Sequence, residues 1–205
     1  MTTGTIWRSL LLVGVTLIAG AFLPAAQVHA AKTVEAAATA TLSEAEAASL
    51  LFMREEEKLA RDVYQLFFSL YADQTFYNIS LSEDRHTSQI RVLIETYGLV
   101  DPAATNPPGV FENPVLQDLY NALTDRGRVS LTEALYVGGL IEEKDIIDIA
   151  KALEKTDNKD IVTVYMNLTD GSKNHLRSFV ARIESIVGIY EPQLLSEEDF
   201  NAIVN

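Results

Sequence analysis

The chain has 205 residues, of which 48% are hydrophobic and 22% charged, a composition typical of a globular protein with a buried core. It contains no cysteine, which excludes disulfides, thiolate zinc sites, cysteine-ligated iron–sulfur clusters and a cysteine nucleophile. Its formal net charge of −13 argues against a nucleic-acid partner, because phosphate backbones are bound by basic surfaces.

The first thirty residues have the three-part pattern of a secretory signal peptide. A short segment with one charged residue, Arg8, precedes the apolar run 10–26, and the segment 27–30 ends in Val-His-Ala, which suits a signal peptidase. We therefore predict cleavage near Ala30 and export to the periplasm or the cell exterior, with no stable membrane span afterwards. The alternative is an uncleaved N-terminal anchor, because the apolar run just reaches the roughly 17 residues that can span a bilayer. Residues 31–42, rich in Ala and Thr, are predicted to form a linker.

From residue 43 onward the pattern is helical, with apolar residues three and four apart and no convincing alternation of period two. Capping residues and glycines set the expected helix ends. The predicted long helices cover about 43–71, opened by a capping box of Ser43 and Glu46; 78–97; 130–155, opened by a capping box of Ser130 and Glu133; and 158–187. A short helix is predicted from Asn113-Pro114 to about residue 127, and one more turn after Ser196 in a C-terminal tail of residues 189–205.

The lengths of the connections predict how the long helices are arranged. The first and second are joined by a few residues, as are the third and fourth, and short links make antiparallel neighbours. About thirty residues, including the short helix, separate the second from the third, which is enough to cross the length of a bundle. Two hairpins joined by one long crossover is the connectivity of ferritin-like proteins. We therefore predict an all-α fold, a ferritin-like four-helix bundle over residues 43–188.

The faces that the four long helices are predicted to turn inward are apolar except at one level. The polar residues at that level come from all four helices: Glu56, Glu83, His86, Glu142, Asp145, Ser172 and His175. Glu83 and His86 are three residues apart, as are Glu142 and Asp145, so each pair lies on one helix face. The predicted level therefore combines four carboxylates and two imidazoles inside one apolar bundle.

Two of these glutamates have a structural alternative when each is taken alone. Glu56 lies in the charged run 54–58, and such a run is usually a solvated face. Glu57 is the reserve candidate, because it lies on a neighbouring stripe of apolar residues. Glu83 could instead complete a capping box opened by Ser80.

The residues on the third and fourth long helices also have alternatives. Of the adjacent acids Glu142 and Glu143, one is expected to face water; Asp145 could be an exposed acid, and His175 a hydrogen-bonded core histidine. Together these alternatives weaken, because four carboxylates inside an apolar bundle would repel each other and be costly to desolvate. Two divalent cations would offset the four negative charges, and the imidazoles would complete a shell that suits iron or manganese and admits zinc.

The chain resembles the ferritin-like di-iron carboxylate proteins, in particular the rubrerythrin-like branch, and also an uncharacterised prokaryotic ferritin-like domain family. The similarity to that family lies in Arg54 to Tyr64 (REEEKLARDVY) and Gly171 to Arg177 (GSKNHLR), and it extends over about residues 44–187. The resemblance implies two iron ions, with manganese or zinc as substitutes, held by six residues: Glu56, Glu83, His86, Glu142, Asp145 and His175. Ser172 stands where the superfamily has a Glu, so one metal position is expected to be weaker, open to water or empty.

The resemblance also implies a function, although it assigns no catalytic residue. The expected chemistry is oxidation of ferrous iron, or reduction of oxygen or peroxide, in the core of the bundle. Because the chain lacks cysteine and hence a rubredoxin-like iron module, a peroxidase would need an external electron donor; a homodimer is compatible with the resemblance. Two alternatives stay open: a metal buffer or carrier without turnover, and a structural or interaction bundle with a degenerate site.

Overall fold

The computed structural model describes residues 42–205, and within this range the chain forms six α-helices and no strand. The helices are α1 (Glu44–Tyr71), α2 (Gln74–Thr96), α3 (Pro114–Gly127), α4 (Leu131–Leu153), α5 (Lys159–Val187) and α6 (Glu197–Val204). The prediction of an all-α fold is confirmed for this part of the chain. The predicted signal peptide, with its cleavage near Ala30, and linker residues 31–41 lie outside the described residues.

The turn between α1 and α2 is tighter than predicted. Ala72 adopts a left-handed conformation with φ of 52° and ends α1, and the Asp73 side chain then accepts the backbone N–H of Thr75. This cap starts α2 at Gln74, so the predicted start near residue 78 is wrong. The connection therefore holds α1 and α2 together as a short hairpin.

The other helix starts follow the predicted caps more closely. Ser43 and Glu46 form the predicted capping box at the start of α1. Ser130 accepts the N–H of Glu133, but the Glu133 carboxylate pairs with Arg126 at 2.8 Å and does not close a second box. α6 runs for eight residues after its cap Ser196, which is longer than the single turn predicted.

The helices pack as two pairs that also contact each other. α1 packs along α2, and α4 packs along α5; α1 also contacts α4, and α2 contacts α5. α3 lies against α4 and α1, and α6 packs against α5. These pairings are compatible with a four-helix bundle of the long helices. None of the helices in the described range is both long and apolar enough to span a bilayer.

The buried apolar side chains form two clusters. One contains Tyr64, Phe67 and Phe179 with their neighbours, and the other contains Leu50 and Ile149 with theirs. Each of α1, α2, α4 and α5 contributes residues to both clusters. On α1, α2 and α5 a short buried polar segment separates the two contributions. On α4 the buried acids lie within the contribution to the first cluster, between Ile141 and Ile146. Each of the four long helices therefore places a short buried polar segment among its apolar residues.

Candidate metal-binding site

The charged run 54–58 on α1 is buried, so the interpretation of this run as a solvated face is wrong. The segment between α2 and α3 covers this side of α1 and supplies partners for its charges. Arg54 pairs with Asp101 at 3.1 Å, and the Lys58 ammonium donates to Asp62 at 2.6 Å and to backbone carbonyls of the covering segment. These partners offset the high cost of moving charged groups out of water.

Some of the buried acids are fully occupied as hydrogen-bond acceptors. Glu55 accepts the backbone N–H groups of residues 112–113 at 2.6 and 2.9 Å. Glu143 accepts the Tyr190 hydroxyl at 2.7 Å and the backbone N–H groups of residues 193–195. A carboxylate that receives several N–H or O–H donors is stable inside a protein. Glu55 and Glu143 therefore have structural roles, each holding a distant segment of the chain.

A second group of buried side chains is not satisfied in this way. Within the described part of the chain, six of their atoms lack a hydrogen-bond partner of acceptable geometry: Glu56 Oε2, Glu57 Oε1, Glu83 Oε1, Glu142 Oε2, Asp145 Oδ2 and His175 Nδ1. Glu142 is 0% exposed and Glu143 is also buried, so the prediction that one of these two acids faces water is wrong. Because buried polar atoms are normally paired, this group resembles an incomplete ligand shell.

Glu83 joins the two histidines of the described chain. Its Oε2 lies 2.9 Å from His86 Nδ1, and its Oε1 lies 2.6 Å from His175 Nδ1. The two imidazole rings stack with their centroids 5.4 Å apart. One ligand atom from each of these three residues lies within 4.8 Å of the others, close enough to share a metal ion. Ser80 donates to the carbonyl of Tyr77, so Glu83 is not part of a capping box.

Two further carboxylates complete the surroundings of the histidines. Glu57 Oε2 lies 3.2 Å from His86 Nδ1, and Glu142 Oε2 lies 3.4 Å from His175 Nδ1. Tyr64, which is fully buried, donates its hydroxyl to Glu142 Oε1 at 2.6 Å and fixes that carboxylate. The contacts therefore form a continuous polar network from α1 through α2 and α5 to α4. Its members, in order, are Glu57, His86, Glu83, His175 and Glu142.

The remaining predicted ligands lie on the α1 and α4 side of the cluster. Asp145 is 2% exposed, which excludes the alternative of an exposed acid. Glu56 Oε1 forms an ion pair with Lys144, whose ammonium also contacts Asp148 at 2.5 Å. Ser172 is buried, but its hydroxyl donates to the Leu168 carbonyl at 3.1 Å and belongs to the helix backbone network.

Two residues near the histidines were missed or ranked low by sequence reasoning. Glu57 was only a reserve candidate, although the residues of its stripe, including Ala60 and Phe67, are all buried and could have identified it. Gly171 was named only as the first residue of the GSKNHLR stretch and was given no role. A Cβ atom there would lie 2.4 Å from two ring atoms of His86, so only glycine leaves room for this imidazole. The signal available was a glycine in a helix interior, which costs about 1 kcal/mol relative to alanine.

The charges of the cluster shift its pKa values in opposite directions. Burial opposes a charge on the histidines, but the facing carboxylates prevail, raising the pKa of His86 to about 10 and that of His175 to about 11. Burial would raise the pKa of Glu83, yet its contacts with both imidazoles hold it well below the usual range. Burial raises the pKa of Glu57 to about 8 and that of Glu56 to about 7. The cluster therefore favours positive charge at its centre, whether from protons or from metal ions.

Residues 46–205 match the model of a family described as an uncharacterized protein domain, DUF2202. The chain belongs to this family. It is 43% identical over 164 residues to uncharacterized protein MJ0754 of Methanocaldococcus jannaschii, a match that covers 80% of this chain and 89% of the relative.

A crystal structure of hypothetical protein MJ0754 from Methanococcus jannaschii is similar in fold as well as in sequence. It matches with a TM-score of 0.78 and 44% identity, covering 80% of this chain and 93% of that one. The DUF2202 chain and MJ0754 therefore share nearly the whole helical domain.

Proposed function

We propose that this DUF2202 protein is a ferritin-like metal-binding protein that holds two divalent ions, iron foremost, inside a bundle of α1, α2, α4 and α5. One observation carries the proposal: these helices bury two histidines and five carboxylates with unpaired oxygens, and three of the five, Glu57, Glu83 and Glu142, contact the imidazoles. The pairing of α1 with α2 and of α4 with α5, with α3 in the long connection, supports the ferritin-like connectivity.

Charge balance supports two ions. The unsatisfied acids are Glu56, Glu57, Glu83, Glu142 and Asp145. Glu56 is already paired with the ammonium of Lys144, and two divalent ions would offset the negative charges of the other four acids. Carboxylate oxygens and imidazole nitrogens suit iron or manganese and admit zinc, so the residues fit the proposed metals.

The chain's own residues would set the conditions for chemistry at this site. When bound, a pair of ferrous ions would supply two electrons, one from each ion, to oxygen or peroxide. Tyr64 would hold the Glu142 carboxylate in position, and the two apolar clusters would exclude water. A continuing peroxidase reaction would draw its electrons from an external donor, since the sequence has no cysteine for an iron–sulfur or rubredoxin-like module. We also propose export, on the signal-like first thirty residues alone.

A second candidate function, a metal buffer or carrier without turnover, is favoured by Ser172. At this position on α5 the hydroxyl bonds the Leu168 carbonyl and provides no carboxylate. One metal position would then have fewer charged ligands than the other. We expect the ion at that position to transfer its electron more slowly.

The first test is the metal content of protein purified without chelator. We expect Glu83→Gln and His86→Ala to lose stoichiometric binding of Fe²⁺ under anaerobic conditions, because each removes a ligand shared by the cluster. Glu95→Gln is the matched control, since Glu95 is an exposed acid of the same helix. Glu55→Ala would be a poor control, because Glu55 holds the backbone of residues 112–113. Equal metal content in wild type and all three variants would contradict the proposal and leave a purely structural bundle.

The second test separates an enzyme from a carrier. Protein loaded anaerobically with Fe²⁺ is mixed with oxygen or with peroxide, and oxidation is followed by absorption in the near ultraviolet. Rapid oxidation over repeated additions of Fe²⁺ is the result expected of an enzyme. Oxidation no faster than that of Fe²⁺ in buffer would assign the protein to the carrier class.

A further inference from the structure

Lys144 connects the buried cluster to the protein surface. Its ammonium lies between Glu56 Oε1 on the inside and Asp148 Oδ2 on the outside. Glu56 is only 3% exposed, whereas Asp148 and Lys144 are 21% and 28% exposed. The ammonium is therefore a positive charge placed between an outer and an inner carboxylate.

Glu56 belongs to both the ion pair and the cluster. One of its oxygens contacts Lys144, while the other is buried and has no hydrogen-bond partner in the described structure. The next residue, Glu57, contacts His86. The negative charge of Glu56 also raises the pKa of the buried Asp145. The Glu56 carboxylate thus joins the surface ion pair to the interior.

A groove on the surface between α1 and α4 reaches Asp148, the outer carboxylate paired with Lys144. It has a volume of about 390 Å³ and is lined by Ser49 and Phe52 on one side and by Asp148, Lys151 and Lys155 on the other. A water molecule takes up about 30 Å³, so the groove has room for an ion with its hydration shell. The Lys144 ammonium lies 5.4 Å from the centre of the ring of Phe52, which lines the groove.

We propose that Lys144 is the gate through which divalent cations enter the buried cluster. An arriving ion binds Asp148, displaces the ammonium from Asp148 and Glu56, and passes inward on the free oxygen of Glu56; the ammonium then pairs with Glu56 again. This inference rests on the proposed metal-binding function. It assigns to Lys144 the control of loading rate, a role separate from holding the ions.

The test is the rate of Co²⁺ binding to the full chain, measured by stopped-flow visible absorption. Lys144→Met keeps the length of the side chain and removes its charge, so we expect loading about tenfold faster with unchanged stoichiometry. Lys144→Arg keeps a cation in the gate and should load no faster than wild type. Lys159→Met is the control for the loss of one positive charge: Lys159 is exposed, lies on α5 and does not line the groove, so its loss should change the rate by less than about twofold.

The outcomes distinguish the gate from the metal site itself. Stoichiometric Co²⁺ binding with equal loading rates in wild type and Lys144→Met would overturn the gate and leave the proposed function standing. Absence of stoichiometric Co²⁺ binding in every form, wild type included, would overturn both. If Lys144→Met does not fold, Asp148→Asn decides, because removal of the outer carboxylate should slow loading about tenfold; an unchanged rate would overturn the gate.

Discussion

Adjacent acidic residues have opposite environments at two places in this protein. On α1, Glu55 accepts two backbone N–H groups, whereas the next residue, Glu56, has an unpaired buried oxygen. On α4 the order is reversed: Glu142 has the unpaired oxygen and Glu143 is saturated with donors. Hydrogen-bond satisfaction, more than burial, therefore separates structural acids from candidate ligands.

Gly171 provides a test of the histidine geometry that does not remove a ligand. Gly171→Ala would place a methyl group 2.4 Å from the His86 ring, and the ring would have to leave its contacts with Glu57 and Glu83. We expect Co²⁺ affinity to fall about tenfold, as for other changes that reorient a ligand. Alanine favours the helix over glycine by about 1 kcal/mol, and this gain opposes the loss of the His86 contacts. We therefore expect the thermal stability of the metal-free protein to be nearly unchanged.

Asp170→Ala, at the exposed preceding position of α5, is the control for this change and should keep wild-type affinity. Titration with Co²⁺ and thermal unfolding without metal together measure the two effects. Wild-type affinity in a folded Gly171→Ala protein would show that the position of His86 is irrelevant to metal binding.

For individual residues, the periodicity of the sequence predicted only some of the buried polar contacts. The spacing of Glu83, His86 and His175 predicted that they meet at one level, and they do come together; their role as metal ligands stays a prediction. The burial of Glu55 and Glu143 was not predictable in the same way. Their partners are backbone N–H groups of irregular segments 57 and 50 residues away in sequence, and such segments carry no periodic signal.

The helices differ in how they are attached to the rest of the fold. α1, α2, α4 and α5 pack along one another through broad apolar faces, whereas α6 is a short element that contacts α5. In the segment before α6, Glu143 accepts three successive backbone N–H groups and the Tyr190 hydroxyl, and Gln193 adds contacts with Arg126 and the Tyr136 carbonyl. The tail therefore has a local anchor that the long helices do not need.

Glu143→Gln tests this anchor. The amide keeps the shape of the side chain but removes the charge and directs an NH₂ group toward backbone donors, so we expect a loss of about 3 kcal/mol in the free energy of unfolding. Urea unfolding measures the loss, and limited proteolysis between α5 and α6 should become faster. Glu191→Gln, an exposed acid of the same segment, is the control and should change neither. Equal stability and protease resistance in the two variants would refute the anchor.

For the molecule as a whole, the helical secondary structure and the lengths of the connections were predictable from the sequence. Which helix face a connecting segment would cover was not. The described chain is helical as predicted, and the long connection that carries α3 lies where the sequence placed it. That connection also covers one side of α1, where it contacts the buried side chains of Arg54, Glu55 and Lys58. A charged residue on a helix face has the same sequence pattern whether water or another segment faces it, so local pattern alone predicts solvent.

Buried carboxylates that bind a metal should destabilise the fold when the metal is absent, because their charges are then neither hydrated nor offset. Asp145 shows this most clearly: it is 2% exposed, it has an unpaired oxygen, and burial with nearby carboxylate charges raises its pKa well above the usual range. Asp145→Asn removes the charge and keeps the shape, so in the presence of EDTA we expect it to be about 2 kcal/mol more stable than wild type.

The same variant should lose the stabilisation that metal provides. At a free Co²⁺ concentration 100 times the dissociation constant, wild type should gain about 2.7 kcal/mol, and Asp145→Asn markedly less, because a ligand is missing. Thermal unfolding followed by circular dichroism, with EDTA and with Co²⁺, gives both quantities; Asp84→Asn, an exposed acid on α2, should behave as wild type in each condition. A lower melting temperature for Asp145→Asn in EDTA would mean that Asp145 stabilises the metal-free fold, and a full metal-induced rise would remove it from the ligand set.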